Sequence, residues 1–176
     1  MILFRHCDRR FPFLWESSAQ PGARWHADGE GPAQYFSDTP SGAWAEFLRH
    51  EGVRDEKDLE GIRRALWAVE VPIEALEVRE PALDAEALRG GPETYPRCQA
   101  EARRLRTAGA EALRAASAAL KAGGAAGWVV DGGEGEGAPR DGFVLALFAR
   151  HFDCVGWPAV ETGAPPARVL GRVRHF

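Results

Sequence analysis

The stretch 22-GARWHADGEGPAQYFSDTPSGAWAEFLR-49 constrains the fold more than any other, because it encodes a turn, a strand and a helix start in close succession. The sequence DGEGP at residues 28–32 is a strong turn signal. Residues 33–37 then form a predicted short strand that carries Tyr35. We therefore expect a hairpin or tight loop that brings Arg24, just before the turn, close to Tyr35.

A helix is predicted directly after this strand. Asp38, Thr39 and Ser41 are each suited to cap its N-terminus, and the helix itself is expected over residues 43–51. Glu46 falls at the edge of its apolar side, which holds Ala43, Trp44, Phe47 and Leu48. A carboxylate at that position can face a cleft instead of open water.

The rest of the chain mixes strand and helix patterns. Strands are predicted over residues 2–6, 65–71, 111–117, 143–149 and 168–174, and helices over residues 84–88 and 96–107, the second ending at the glycine cap Gly109. The apolar run 143–149 is expected to be a central strand, and the charged run 54–64 a loop and a solvated helix. The glycine-rich, acidic segment 123–142 is the predicted flexible loop. There is no internal repeat, so we expect one α+β domain over residues 1–176.

Three aromatic residues, Phe11, Phe13 and Trp15, lie in a predicted loop at residues 9–20. They could line a pocket. Packing onto the core is the more common role of such side chains, and we favour it.

Composition excludes several classes of function. The content of 45% hydrophobic and 27% charged residues is that of an ordinary globular protein. A net charge of −4 argues against a dedicated nucleic-acid binder, and no run approaches the ~20 apolar residues that span a bilayer. The N-terminus is apolar first and charged second, the reverse of a secretory signal, so a cytoplasmic location is expected.

Cysteines and histidines are scattered in the sequence. Cys7, Cys98 and Cys154 form no CxxC pair and no zinc spacing, which predicts buried, reduced thiols. The sequence has no HExxH, P-loop or GxGxxG pattern with a following acidic residue. Neither a metal site nor a Rossmann-type or P-loop nucleotide site is therefore indicated.

The surroundings of three polar residues resemble a known family. Arg24 and Glu46 stand in the pattern GARWHxxGxxxxxYFSxTxxxAxAE, and Ser117 ends the segment 109-GAEALRAAS-117, which precedes an apolar strand. This order resembles the RES domain family, which is named for arginine, glutamate and serine. The resemblance extends over residues 3–176 and is strongest at 22–48. The chain departs from the family at Ala116, where proline is frequent, and at Ala23, where glycine is.

The resemblance implies a fold and an activity. RES proteins look like ADP-ribosyltransferases, with two small sheets around a cleft for NAD. Members studied as toxins deplete NAD by hydrolysis or phosphorolysis, and their usual partner is an antitoxin with an Xre-like helix-turn-helix domain. For this chain the resemblance implies NAD as a substrate, and a homodimer is possible. The net charge, the missing metal spacings and the lack of a long apolar run lead us to expect no metal or other cofactor and no direct contact with nucleic acid or membrane.

NAD cleavage at the nicotinamide–ribose bond suggests roles for the candidate residues, since it passes through an oxocarbenium-like transition state. Arg24 suits the pyrophosphate, because guanidinium grips phosphate oxygens bidentately. Tyr35 suits the nicotinamide ring, and Glu46 the developing positive charge or a ribose hydroxyl. Ser117 could orient Glu46 or the ribose. Trp25 and His26 are further candidates for lining the cleft, and Ser41 is the competing serine.

Other interpretations remain open from sequence alone. Taken singly, each main candidate has a common structural role. Arg24 would be a surface ion-pair partner and Tyr35 a half-buried strand residue. Glu46 would belong to the polar face of a helix, and Ser117 would be a small residue that fills the core. The same cleft could also serve a protein ADP-ribosyltransferase, or a silent binding module with the acidic segment 131–138 as a partner surface. A serine hydrolase is the weakest alternative, because the chain has no GxSxG elbow.

Overall fold

The structure, a computed structural model, describes residues 1–17, 19–148 and 153–176. Its strands are β1 (Ile2–Cys7), β2 (Ala33–Ser37), β3 (Arg64–Glu70), β4 (Val78–Arg79), β5 (Ala112–Ala116), β6 (Trp128–Val130), β7 (Glu134–Glu136), β8 (Phe143–Phe148) and β9 (Val155–Gly163). Its α-helices are α1 (Pro40–His50), α2 (Ala85–Arg89) and α3 (Tyr95–Thr107). Short 3₁₀ turns lie between them, at Glu56–Leu59, Ile73–Ala75, Pro92–Thr94 and Ala167–Arg172.

Seven of the described strands form one mixed sheet in the order β4-β5-β8-β2-β1-β3-β9. Only the β4–β5 pair within it is parallel. β8 lies between β5 and β2, and residues 144–148 are buried, which explains why its sequence is apolar throughout. The predicted strand 143–149 is thus confirmed over 143–148, while Ala149 lies outside the described residues. An α+β fold is confirmed, with a seven-stranded sheet and a separate two-stranded sheet, β6–β7.

Helix α1 packs against β1 and β2 and contributes its apolar side to the core. Thr39 is the cap among the three candidates, since its Oγ1 accepts from the backbone N–H of Gly42 at 3.0 Å, and Pro40 occupies the first turn. The apolar side predicted from sequence is buried, and Trp44 and Leu48 pack in a cluster with Leu66. The helix is therefore anchored along its length, which holds its polar residues in fixed positions.

Helix α3 covers a second part of the core. Cys98, Ala102 and Leu105 are buried at helical spacing against Leu113 and Phe148. The helix ends as expected, with Gly109 at a φ of +91°. All three cysteines are buried and free, as the sequence predicted.

The sequence prediction is wrong near the end of the chain and in the glycine-rich segment. The strand expected at 168–174 is the 3₁₀ turn Ala167–Arg172, because Pro166 precedes it and the buried residues Val169 and Val173 follow helical rather than alternating spacing. The flexible loop expected at 123–142 contains a two-stranded hairpin, β6–β7.

Strand β9 was missed by sequence because glycine and proline stand among its first residues. Pro158 is tolerated there since β9 is the outer strand of the sheet and, among the described strands, pairs with β3 alone, across a register shift at Leu66 and Trp67. Likewise, the charged run 54–64 forms only the short 3₁₀ turn Glu56–Leu59. Among the described residues, no helix has the length and apolar character that crossing a membrane requires.

Candidate functional site

A cleft of about 580 Å³ opens between β1, β2 and α1. Its lining is aromatic and basic, and its arginines are Arg5, Arg24, Arg49 and Arg64. Among the described residues, its carboxylates are Glu46 and Asp8, and Asp8 is already paired with Arg10 at 2.8 Å. An acidic protein thus has a cleft with excess positive charge, which favours an anionic ligand.

Glu46 and Ser117 meet at the inner end of this cleft. The Ser117 hydroxyl donates to Glu46 Oε1 at 3.1 Å, although the two residues are 71 positions apart in the chain. Ser117 Oγ also accepts from the backbone N–H of Leu120 at 3.2 Å, which leaves its proton directed at the carboxylate. Ser117 is buried and does not line the cleft directly.

Burial raises the pKa of Glu46 above its ordinary value of 4.5. The Ser117 hydrogen bond, the charges of Arg49 and Arg24 and the backbone N–H of Ala119 oppose that rise. The carboxyl is therefore held in a dry position by groups that favour its charged form. Such a group can stabilise a cation or take up a proton.

The Arg24 side chain is held by several contacts, although the residue lies in a loop. Its guanidinium donates to the carbonyls of Ala87 at 3.0 Å and Gly90 at 2.7 Å, and lies 4.8 Å from the centre of the Tyr95 ring. These carbonyls belong to the C-terminal end of α2, where a cation is favoured by the helix dipole. Arg24 therefore links the segment before the turn to α2 as well as contributing charge to the cleft.

Arg49 was not among the residues singled out by sequence. It is 4% exposed and donates to the carbonyls of Arg174 at 3.1 Å, Arg89 at 2.9 Å and Gly90 at 2.7 Å, and also to Ala118. The Gly90 carbonyl is thus shared with Arg24. The sequence did offer one signal for Arg49: it follows Glu46 by three residues on a predicted helix, and that spacing places both side chains on one face.

Tyr35 is held by the segment that precedes the turn. Its hydroxyl accepts from the backbone N–H of Trp25 at 3.1 Å and lies 2.8 Å from His26 Nδ1. Burial lowers the pKa of His26 and raises that of Tyr35, so both are neutral at ordinary pH. The expected proximity of Arg24 and Tyr35 is confirmed to the extent that both line the cleft, as does Trp25. His26 is fully buried beside Tyr35 and supports it.

Strand β1 supplies two groups that sequence reasoning missed, Arg5 and His6. Burial lowers the pKa of Arg5 to about 10 and that of His6 to about 3, so at neutral pH the first is charged and the second is not. His6 Nδ1 lies 3.2 Å from a guanidinium nitrogen of Arg64 on the neighbouring strand β3. A strand prediction alone gives no sign of which face borders a cleft.

The structure places some of the predicted site residues in the cleft and others behind it. Arg24, Trp25, Tyr35 and Glu46 line one cleft, Ser117 bonds Glu46 from behind it, and His26 bonds Tyr35. Ser41 lies in the first turn of α1, five residues before Glu46. Within the described ranges, no three His, Cys, Asp or Glu side chains are grouped as metal ligands would be.

Comparisons with known proteins agree with this picture. The family model described as the RES domain matches residues 2–167. Among solved structures, the chain is similar in fold to one from the M. tuberculosis MbcT–MbcA toxin–antitoxin complex, with a TM-score of 0.60 at 15% identity, over 91% of this chain and 84% of that one. No curated protein matches the sequence.

Proposed function

The chain belongs to the RES domain family, and from that premise we propose that it is a toxin that cleaves NAD at the bond between nicotinamide and ribose. The observation that carries this proposal is the Glu46 carboxylate, bonded by Ser117 and facing a cleft rich in arginine. One negative charge among several positive ones suits a ligand that is anionic at its phosphates and cationic at one ring.

The proposed step breaks the bond between ribose C1′ and the pyridinium nitrogen. The bonding electron pair moves to that nitrogen, which leaves as neutral nicotinamide, and C1′ becomes cationic. Glu46 stabilises this cation, and an oxygen of water or phosphate then bonds C1′ from the open side of the cleft. When water is the acceptor, its proton passes to a base, and the raised pKa of Glu46 equips it for that role.

In this proposal the four arginines of the cleft contribute to pyrophosphate binding in two different ways. Arg24 and Arg49 are largely engaged with backbone carbonyls, whereas within the described residues Arg5 bonds the Gln34 side chain and Arg64 lies within hydrogen-bond distance of His6, so each has further N–H groups to offer a ligand. The pyrophosphate is therefore held by the field of all four and by direct bonds from the less engaged donors.

Incubating the purified protein with NAD tests the activity directly. We expect nicotinamide release, measured by chromatography, and the second product identifies the acceptor: ADP-ribose for water, its phosphorylated form for phosphate. A product attached to protein would instead identify an ADP-ribosyltransferase. Absence of nicotinamide release, with and without phosphate, would contradict the proposal.

Replacing Ser117 with alanine should change the pH dependence of this activity. The reaction needs the Glu46 carboxylate, so its rate falls as the pH drops through the raised pKa of Glu46. Because the Ser117 bond lowers that pKa, its loss should move the acid limb of the pH–rate profile to higher pH. The variant Ser41→Ala is the matched control and should leave the limb in place. An unchanged limb in Ser117→Ala would show that the bond does not tune Glu46.

A protein partner is the second part of the proposal. The similar M. tuberculosis chain was solved in a toxin–antitoxin complex, and we propose an antitoxin with an Xre-like helix-turn-helix domain for this chain too. A cytoplasmic site of action, where NAD and such a partner meet, belongs to the same proposal. Coexpression with the product of an adjacent small open reading frame should restore growth that this protein alone stops.

A further inference from the structure

The aromatic residues before the cleft divide into two groups. Phe13 packs on Trp67, with ring centres 5.1 Å apart, and lies against Gly156. Phe11 and Trp15 do not pack into the core: they are 58% and 47% exposed, and both line the cleft. The sequence-based preference for core packing is thus right for Phe13 and wrong for the other two.

Phe11 and Trp15 form an ordered pair at the mouth of the cleft. Their rings are nearly parallel, with an angle of 9° and centres 6.2 Å apart. The guanidinium of Arg10 lies 5.9 Å from the Phe11 ring centre, so Phe11 is contacted by both Arg10 and Trp15, and Trp15 offers the larger aromatic ring system. An exposed stacked pair of this size needs an explanation, since water contact with large aromatic surface is unfavourable.

Hydrogen bonds connect the backbone of Trp15 to Arg5, one of the arginines that line the cleft. The Trp15 carbonyl accepts from Gln34 Nε2 at 2.6 Å, and Gln34 Oε1 accepts in turn from Arg5. Gln20 also bonds the backbone of Ala33 in β2: its Nε2 donates to the carbonyl at 2.7 Å, and its Oε1 accepts from the N–H at 2.9 Å. The position of Trp15 is therefore fixed before any ligand binds. The Gln34 side chain alone separates it from the Arg5 guanidinium, whose charge suits a phosphate.

We propose that Trp15, supported by Phe11, is a stacking platform for the purine base of the dinucleotide. This inference rests on the proposed NAD cleavage and names the subsite for the adenine end of the substrate. A flat apolar surface beside arginines matches a nucleotide, in which a flat base is linked to phosphate. The nicotinamide end then extends inward to Tyr35 and Glu46, so that one cleft holds both ends of the ligand.

Comparing two substrates isolates this subsite. Nicotinamide mononucleotide carries the same scissile bond as NAD but lacks the AMP half, that is, the adenosine and one phosphate. We expect Trp15→Ala to raise KM for NAD about 10-fold, as loss of one base–aromatic stack does, and to leave kinetics with the mononucleotide unchanged. Phe11→Ala should have a smaller effect, and Trp15→Phe, which keeps a ring, should restore most of the affinity.

Trp157→Ala is the matched control, because Trp157 is 49% exposed but lies on the outer strand β9, away from the cleft. It should change neither substrate's KM. Equal losses for NAD and the mononucleotide in Trp15→Ala, or no loss for either, would overturn the platform.

Binding of AMP separates this inference from the proposed function. Calorimetry needs no turnover, and AMP carries the base and one phosphate alone. We expect the wild-type protein to bind AMP and Trp15→Ala to bind it about 10-fold more weakly. If the wild type releases no nicotinamide but shows this difference, the platform stands and the cleavage reaction does not. Equal AMP affinity in the two proteins, or no binding by the wild type, would refute the platform whatever the NAD assay gives.

Discussion

Replacing Glu46 with glutamine is expected to lower kcat for NAD cleavage roughly 100- to 1,000-fold, the usual cost of removing one preorganised electrostatic group from an active site. Glutamine has the same shape and can still accept from Ser117, so the change removes charge with little effect on packing. Nicotinamide release under saturating NAD measures the loss. A drop in kcat with KM nearly unchanged is the expected pattern, because the carboxylate acts on the transition state more than on bound substrate.

The same substitution should not destabilise the protein. A carboxyl whose folded pKa is raised favours folding below its unfolded pKa, and this contribution is lost as the pH rises through the folded value. At a pH above this raised pKa the ionised Glu46 therefore costs stability, and Glu46→Gln should there have an equal or higher Tm than the wild type. In acid, where Glu46 is protonated, that difference should shrink. A variant that unfolds instead would support a purely structural helix-face role for Glu46.

Replacing Arg49 with methionine should destabilise the fold by about 3–5 kcal/mol, which is typical when one partner of a buried charged network is removed. Methionine fills much of the space but donates no hydrogen bond, so it leaves the carbonyls of Arg89, Gly90, Ala118 and Arg174 with fewer donors. Urea denaturation monitored by circular dichroism gives the change in unfolding free energy.

Arg97→Met is the appropriate comparison for that measurement. Arg97 also makes an ion pair, with Asp84 at 2.7 Å, but both side chains are about half exposed, at 52% and 56%. Its loss should cost no more than about 1 kcal/mol. Similar losses in the two arginine variants would mean that water replaces the buried guanidinium, and that the Arg49 network is not a stability determinant.

Local signals account for the parts of the fold and site that sequence could predict. The turn at 28–32, the cap at Thr39 and the amphipathic side of α1 are encoded by neighbouring residues, so the positions of Arg24, Tyr35 and Glu46 on their elements followed from them. Ser117 entered through family resemblance, since its contact with Glu46 spans 71 positions.

Other features depend on tertiary contacts that no short pattern reports. Arg49 is buried because carbonyls from three separate segments surround it, and a helix pattern shows only that it follows Glu46 by one turn. Strand β9 contains proline, which is acceptable only at the outer edge of a sheet. The exposure of Phe11 and Trp15 likewise depends on where the loop meets the cleft.

The pairing of β8 with both β2 and β5 also determines when this site first exists during synthesis. Glu46 follows β2, Ser117 follows β5, and β8 is the only strand between these two in the described sheet. A ribosome-bound chain that already contains both residues therefore lacks the strand that joins their halves of the sheet until residues 143–148 have emerged. We therefore expect a nascent chain to bring Glu46 and Ser117 together only after this strand has emerged, so that an incomplete chain lacks the pair on which the proposed reaction depends.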